Sequence, residues 1–320
     1  MSNKVVCICI PIFGLLLFSC SADNKTTISQ STIPFSKELW QAPDTNLIPA
    51  TPEGKLIRYG RELIVHTSKY LGPNGKVKSI SNGMNCQNCH LNAGTKPFGN
   101  NYGSVASLYP RFRARSGTDE SIEKRVNDCL ERSLNGVALE KRSKELHAIV
   151  AYIKWIGSNV TKGEKALGSG LKDIEFLDRP CDSTKGRLLY LAKCTQCHGK
   201  NGEGSTTSGS SEYTYPPLWG MNSFNQGAGL FRISTMAKYI HANMPFGARY
   251  DSTLLTVEEA WDISAYINSR QRPYKNFSND WPKIETKPFD HPFGPFADSF
   301  PETQHKFGPF QEIIATTKSK

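Results

Sequence analysis

Long apolar runs are almost absent from this 320-residue chain. The only one covers residues 5 to 18, behind Lys4 and ahead of Leu17-Phe18-Ser19-Cys20. It is too short to cross a bilayer as a finished helix, and its layout is that of a signal peptide, so the mature protein is expected to be exported. Strand signals are weak throughout, which argues against a sheet-based fold. No nucleic-acid-binding motif is present, and an exported chain does not meet that partner. Methionine is scarce as well: the chain has five, and none lies between His90 and Gly157.

Cys20 has Leu17 three residues before it and Ser19 directly before it. This resembles the lipobox at which a bacterial cysteine is lipidated and becomes the new N-terminus, although Phe18 is unusual there. An ordinary cleavage near Ala22 is the alternative. Residues 1 to 20 are thus expected as a lipoprotein signal, placing the protein on the periplasmic side of a membrane through a lipid on Cys20. Residues 21 to 50, rich in Ser, Thr, Asn and Pro, read as a flexible tether. Removing residues 1 to 19 takes Lys4 and no acid, leaving 38 basic groups against 29 acidic ones. A surplus of that sign draws anions or an acidic redox partner.

Of nine cysteines, Cys7 and Cys9 leave with the signal and Cys20 is the lipid candidate. Four more form Cys86-Gln87-Asn88-Cys89-His90 and Cys194-Thr195-Gln196-Cys197-His198. The two-residue gap spaces the thiols for both vinyl groups of a haem, and the adjacent His reaches its iron. Two such matches in an exported chain outweigh a zinc or redox dithiol reading, and they call for two haem c groups. Cys129 and Cys181 remain, and in an oxidising compartment they raise the alternative of a disulfide.

The chain also reads as a duplication. Ile149, Ala151, Tyr152 and Ile153 line up at one offset with Ile263, Ala265, Tyr266 and Ile267, each set on an amphipathic helix. Upstream of the haem motifs, Gly60-Arg61-Glu62-Leu63 matches Gly186-Arg187-Leu188-Leu189. Leading helix, haem motif, ligand loop and closing helix predict an all-α fold of two class I cytochrome c-like domains in tandem. Domain 1 is expected over 51 to 160 with an insertion at 71 to 85, and domain 2 over 175 to 272. A Gly and Lys-rich linker is expected at 161 to 170. Residues 273 to 320 carry two Phe-Gly-Pro-Phe units and form an irregular extension too aromatic for a disordered end. His291 and His305 there read as surface or packing residues.

Each haem iron needs a second axial ligand. In domain 2, Met244 precedes Pro245 in a loop after a predicted helix over 231 to 242, which favours it over Met236, His241 and Lys238. Domain 1 has no methionine between His90 and Gly157, which leaves His147, Cys129 and several lysines. His147, aligned with Trp261, reads as packing. Cys129 lies 22 residues before Ala151, against 21 from Met244 to Ala265, so it fills the same slot and spacing favours it as a thiolate ligand. Arg125, Cys129 and Ser133 fall at intervals of four on a helix expected from about Thr118, and so share one face. Arg111, Arg113, Arg115, Arg125 and Arg132 surround that cysteine in sequence. They suit oxyanions, though some are expected to serve haem propionates.

Met84 to Gly94, Tyr109 to Gly117 and Arg125 to Gly136, together with the Phe-Gly-Pro-Phe tail, resemble the tetrathionate-forming thiosulfate dehydrogenases over most of the mature chain. The resemblance implies an oxidoreductase that joins two thiosulfates into tetrathionate, or runs in reverse. It implies a catalytic first haem held by Cys86 and Cys89 with His90 and Cys129 as axial ligands. A second haem, on Cys194 and Cys197 with His198 and Met244, would pass electrons to a carrier such as a small cytochrome c. Arg115, Arg125 and Ser133 match the family's substrate site. Cys129 would act either from the iron or by leaving it for a transient bond to substrate sulfur. Asn243 stands where some members have a switching lysine, Cys181 has no family role, and a lipid anchor departs from freely soluble relatives. A non-catalytic diheme electron carrier is the alternative, while a diheme peroxidase has no specific support.

Overall fold

The computed structural model describes residues 35–318 as one compact unit; the signal, Cys20 and residues 21–34 of the expected tether lie outside the described residues. Among the described residues no helix is long and apolar enough to cross a membrane.

Six helices of eleven residues or more carry the architecture, and capping residues open most of them. The leading helix of domain 1, Pro52–Val65, starts where Thr51 accepts the Gly54 N–H and Pro52 presets the first turn. The helix bearing Cys129 runs Ile122–Arg132 behind Ser121, which accepts from Lys124, and the closing helix Lys144–Ile156 is opened by Ser143. Domain 2 repeats the plan with Ser183–Lys193 behind Asp182, then Ile233–Asn243, then Val257–Asn268 behind a Thr256/Glu259 capping box. The helix expected from Thr118 begins later because Thr118–Glu120 pairs instead with Arg111–Arg113 in a short antiparallel hairpin.

The duplication is written into the helix crossings. A Cβ at Gly60 would lie 1.9 Å from the Ala148 carbonyl oxygen, and one at Gly186 would lie 1.8 Å from that of Asp262. In each domain the leading and closing helices therefore touch backbone to backbone, at positions that correspond in the repeat. A shared hydrophobic core runs from Leu63, Ile64, Ile149 and Tyr152 in the first domain to Tyr190, Ile263 and Tyr266 in the second.

Three sequence expectations need correction. Residues 35 to 50 are not tether: Phe35–Leu39 pairs in parallel with Lys165–Leu167, and Trp40, 6% exposed, donates its indole N–H to Asn159 at 2.9 Å. The linker at 161 to 170 is likewise bound to domain 1, through that strand pair and a Ser104–Ser169 hydrogen bond of 2.8 Å. His147 does not pack; it is exposed, while its counterpart Trp261 is buried. The difference comes from the C-terminal extension, which lays Phe310 5.7 Å from Trp261 and builds a second core with Cys181, Phe289 and Ile313 on the outer side of domain 2. Domain 1 has no such cover. His291 and His305 are buried within the extension, which decides for packing over surface.

Candidate haem and anion site

Both haem motifs are prepared in the same way. The His90 Nδ1–H donates to the Asn100 carbonyl at 2.5 Å and the His198 Nδ1–H to that of Pro216 at 2.9 Å, which leaves each Nε2 unprotonated and free to bind a metal. Burial pushes His90 down to about 4 despite that bond, with Arg125 adding repulsion, and burial lowers His198 too. Tyr102 stacks on the His90 ring at 4.4 Å. Both imidazoles are thus held neutral, the ligating form.

Around His90 three sulfur atoms gather. Burial pushes the Cys86 and Cys89 thiols up to about 11 and about 12, and Cys129 contributes to both by its charge. Cys129 sits half-buried on its helix one turn after Arg125, also half-buried, and its electrostatic interaction is the largest influence favouring the charged form of Arg125. Ser133 closes that helix, its N–H donating to the Cys129 carbonyl at 2.8 Å. Cys181 is remote from this cluster. It lies among Ile233, Trp261 and Phe310, and both Cys129 and Cys181 are free thiols.

The arginines separate by partner. Arg115 is half-buried and pushed down to about 10, first by loss of surrounding water and then by Arg132 and Arg125 beside it. It donates to the Gly227 carbonyl at 3.3 Å and lies 5.3 Å over the Trp281 ring. Arg132 makes a two-pronged ion pair with Asp280, both bonds 2.8 Å. Arg111 stands opposite Glu120 in the hairpin.

In domain 2, a cavity of 770 Å³ is lined by Cys194, Cys197, His198, Met236 and Met244, and also by Asn85, Asn88 and Cys89 of the first motif. Lys238 is turned to Asp173 at 2.6 Å, and neither it nor His241 lines the cavity. The motifs meet across the domain interface: Tyr239 donates its hydroxyl to the Asn88 carbonyl at 3.2 Å, and Asn243 donates to that of Phe98 at 3.0 Å.

Arg272 tests whether the cavity fits a haem. It is 7% exposed, its guanidinium lies 4.2 Å from the Phe224 ring and 4.6 Å from Phe231, and Nη2 donates to Ile267 at 2.9 Å. Nε and Nη1 are buried without a partner, and burial pushes the group down to about 9. A buried cation with idle donors, beside cavity-lining Phe224 and Ile267, calls for an anion, and haem carboxylates are anions of the right kind. The donor set fits haem c. Arg272, Asp280, Trp281 and Tyr239 escaped sequence reasoning because no motif marks them; each gains its place from a residue far away in the chain.

Two tandem helical domains, each with a covalent haem motif and a backbone-fixed imidazole, define a diheme c-type cytochrome. Family models described as "SoxA/TsdA, cytochrome c domain" and "Cytochrome c" match residues 76–161 and 183–271. Thiosulfate dehydrogenase of Psychrobacter arcticus is 35% identical over 81% of this chain and 77% of its own length. That of Allochromatium vinosum is 37% identical over 72% of this chain and 83% of its own. Among solved structures, "Thiosulfate dehydrogenase (TsdBA) from Marichromatium purpuratum" superposes with a TM-score of 0.68 at 31% identity; the match covers 74% of this chain and 50% of that one. The chain belongs to the thiosulfate dehydrogenase family.

Proposed function

We propose that the protein oxidises two thiosulfate dianions to one tetrathionate dianion, with the chemistry at the first domain and electron exit through the second. In that reaction one sulfur–sulfur bond forms, no bond breaks, two electrons leave and no proton is exchanged. Bound haem c would supply one-electron redox chemistry in each domain, with an external carrier such as a small cytochrome c as the acceptor. His90 and Cys129 would hold the iron in domain 1, and His198 and Met244 in domain 2; thiolate ligation would lower and thioether ligation raise the potential, favouring the second domain as the electron exit.

The observation that carries the reading is the placement of half-buried Arg115 and Arg125 within electrostatic reach of each other, with Cys129 one helical turn from Arg125. Two unit charges 4 Å apart interact by about 4 kcal/mol at a surface-like dielectric, and a pair of dianions repels by roughly four times as much. Preorganised guanidinium groups offset that repulsion at the moment the sulfurs meet, and their planar forks match sulfonate oxygens. Ser133, at the end of the same helix, adds a hydroxyl donor for a substrate oxygen. The contact of Tyr239 and Asn243 with the first haem loop supports short-range electron passage between domains.

Turnover of thiosulfate with an artificial electron acceptor tests the proposal. Purified wild-type protein is expected to release tetrathionate, and Cys129→Ala to abolish turnover while both haems stay attached. Wild-type protein that exchanges electrons but leaves thiosulfate unchanged would reduce the assignment to a two-centre relay. Export to the periplasmic side and a lipid on Cys20 belong to the same proposal; labelled fatty acid should enter the wild type and not Cys20→Ala.

A further inference from the structure

Through residues 280 to 282 the C-terminal extension reaches back to domain 1, and there it touches two of the three half-buried arginines differently. Asp280 and Arg132 are 9% and 12% exposed and joined by two bonds of 2.8 Å. Geometry of this kind neutralises a guanidinium and occupies one edge of its fork. Trp281 instead offers Arg115 an aromatic face at 5.3 Å, and its own N–H donates to the Arg115 carbonyl at 2.7 Å. An aromatic face attracts a cation without neutralising it. The Gly227 carbonyl adds a hydrogen bond of 3.3 Å to the same guanidinium and leaves its charge intact.

The local backbone is committed to this arrangement. Trp281 has φ +54°, a left-handed conformation that is uncommon for a bulky residue and is often found where a side chain must be aimed. The indole is clamped by His291 at 4.4 Å on another side and is 6% exposed. Pro282 packs on the hairpin turn beside Arg115; a Cβ at Gly117 would come within 2.6 Å of the Pro282 ring.

We propose that Asp280 and Trp281 are positioning residues that sort the arginines of the anion site, Asp280 withdrawing Arg132 from substrate while Trp281 holds Arg115 aimed at it without a salt bridge. This rests on the anion-oxidising reading of domain 1. The physical need is balance. Three unpaired guanidiniums in a partly dry pocket would hold any dianion tightly, including the product and inert sulfate, and affinity spent equally on every bound state does not speed the reaction. Withdrawing one cation leaves two for the transition state.

The test uses the holoprotein and reads binding of an inert dianion separately from turnover. Asp280→Asn frees Arg132, so sulfate should compete with thiosulfate more tightly, on the order of tenfold for one added unit charge. KM for thiosulfate should fall and kcat should fall with it. Trp281→Ala should raise KM, with Trp281→Phe restoring much of the loss. A purely architectural role for these residues would weaken anion binding in both variants and lower thermal stability. Unchanged or weaker sulfate binding in Asp280→Asn, with haem absorption spectra intact, overturns the proposal. Sulfate binding measured by calorimetry keeps the outcome distinct from the function itself: protein that never turns over thiosulfate can still show, or fail to show, the tightening.

Discussion

Arg125 and Cys129 sit one helical turn apart on the same half-buried helix face, and electrostatic interaction with the cysteine is the strongest influence favouring the arginine's charged form. The pair joins an iron-ligand candidate to an anion-binding candidate through a single local element. A change at either residue is therefore felt by both functions.

Arg125→Ala should lower kcat/KM for thiosulfate by roughly two to three orders of magnitude, the usual cost of deleting one preorganised charge-stabilising donor. Arg125→Lys should recover only part, since a point charge replaces the fork. Steady-state kinetics at fixed ionic strength reads this, and a loss under threefold would remove Arg125 from the substrate site.

Arg272→Gln should lower the midpoint potential of the second haem and leave the first unchanged. Removing a buried cation beside a haem stabilises its oxidised form. Spectroelectrochemical titration separates the two centres by their different axial ligands.

Gly60→Ala and Gly186→Ala each force a methyl group into a backbone oxygen at less than 2 Å. Overpacking of that kind costs about 1–3 kcal/mol or more, because the obstacle is a helix backbone and not a movable side chain. Each variant should lower yield of holoprotein and thermal stability. Gly186→Ala should loosen the second haem first, visible as loss of its spectral contribution on mild heating.

The extension should weaken in acid. Burial pushes His291 down to about 3 in the fold, with Lys287 and Arg115 adding repulsion against Asp290, while an unfolded histidine titrates near its ordinary value of 6.5. Between those values the unfolded chain binds more protons, so stability falls as pH drops below about 6.5 and continues falling toward about 3, by up to about 1.4 kcal/mol per pH unit. Above 6.5 this contribution is complete and flat. Melting temperature followed from pH 7 to pH 4 should show the slope, and His291→Gln should flatten it. Because His291 faces Trp281 at 4.4 Å, thiosulfate KM should rise along with that loosening.

The two Cys-x-x-Cys-His motifs, the six principal helices and the shared face of Arg125 and Cys129 were legible in the sequence alone, because motifs, caps and helical periodicity act over a few residues. The repeated Gly-Arg-x-Leu marked the duplication, and the structure adds that its glycines are the helix-crossing points. Only the tertiary structure decided matters that depend on residues distant in the chain. It paired Arg132 with Asp280 and gave Arg115 an indole instead, 148 positions separating the first pair. It buried Trp261 under Phe310 while leaving His147 exposed, set Cys181 in the second core beside Trp261, and drew residues 35 to 50 onto domain 1. Composition and spacing describe which groups a segment carries; which of them lose water, and against what neighbour, is settled only when the whole chain has packed.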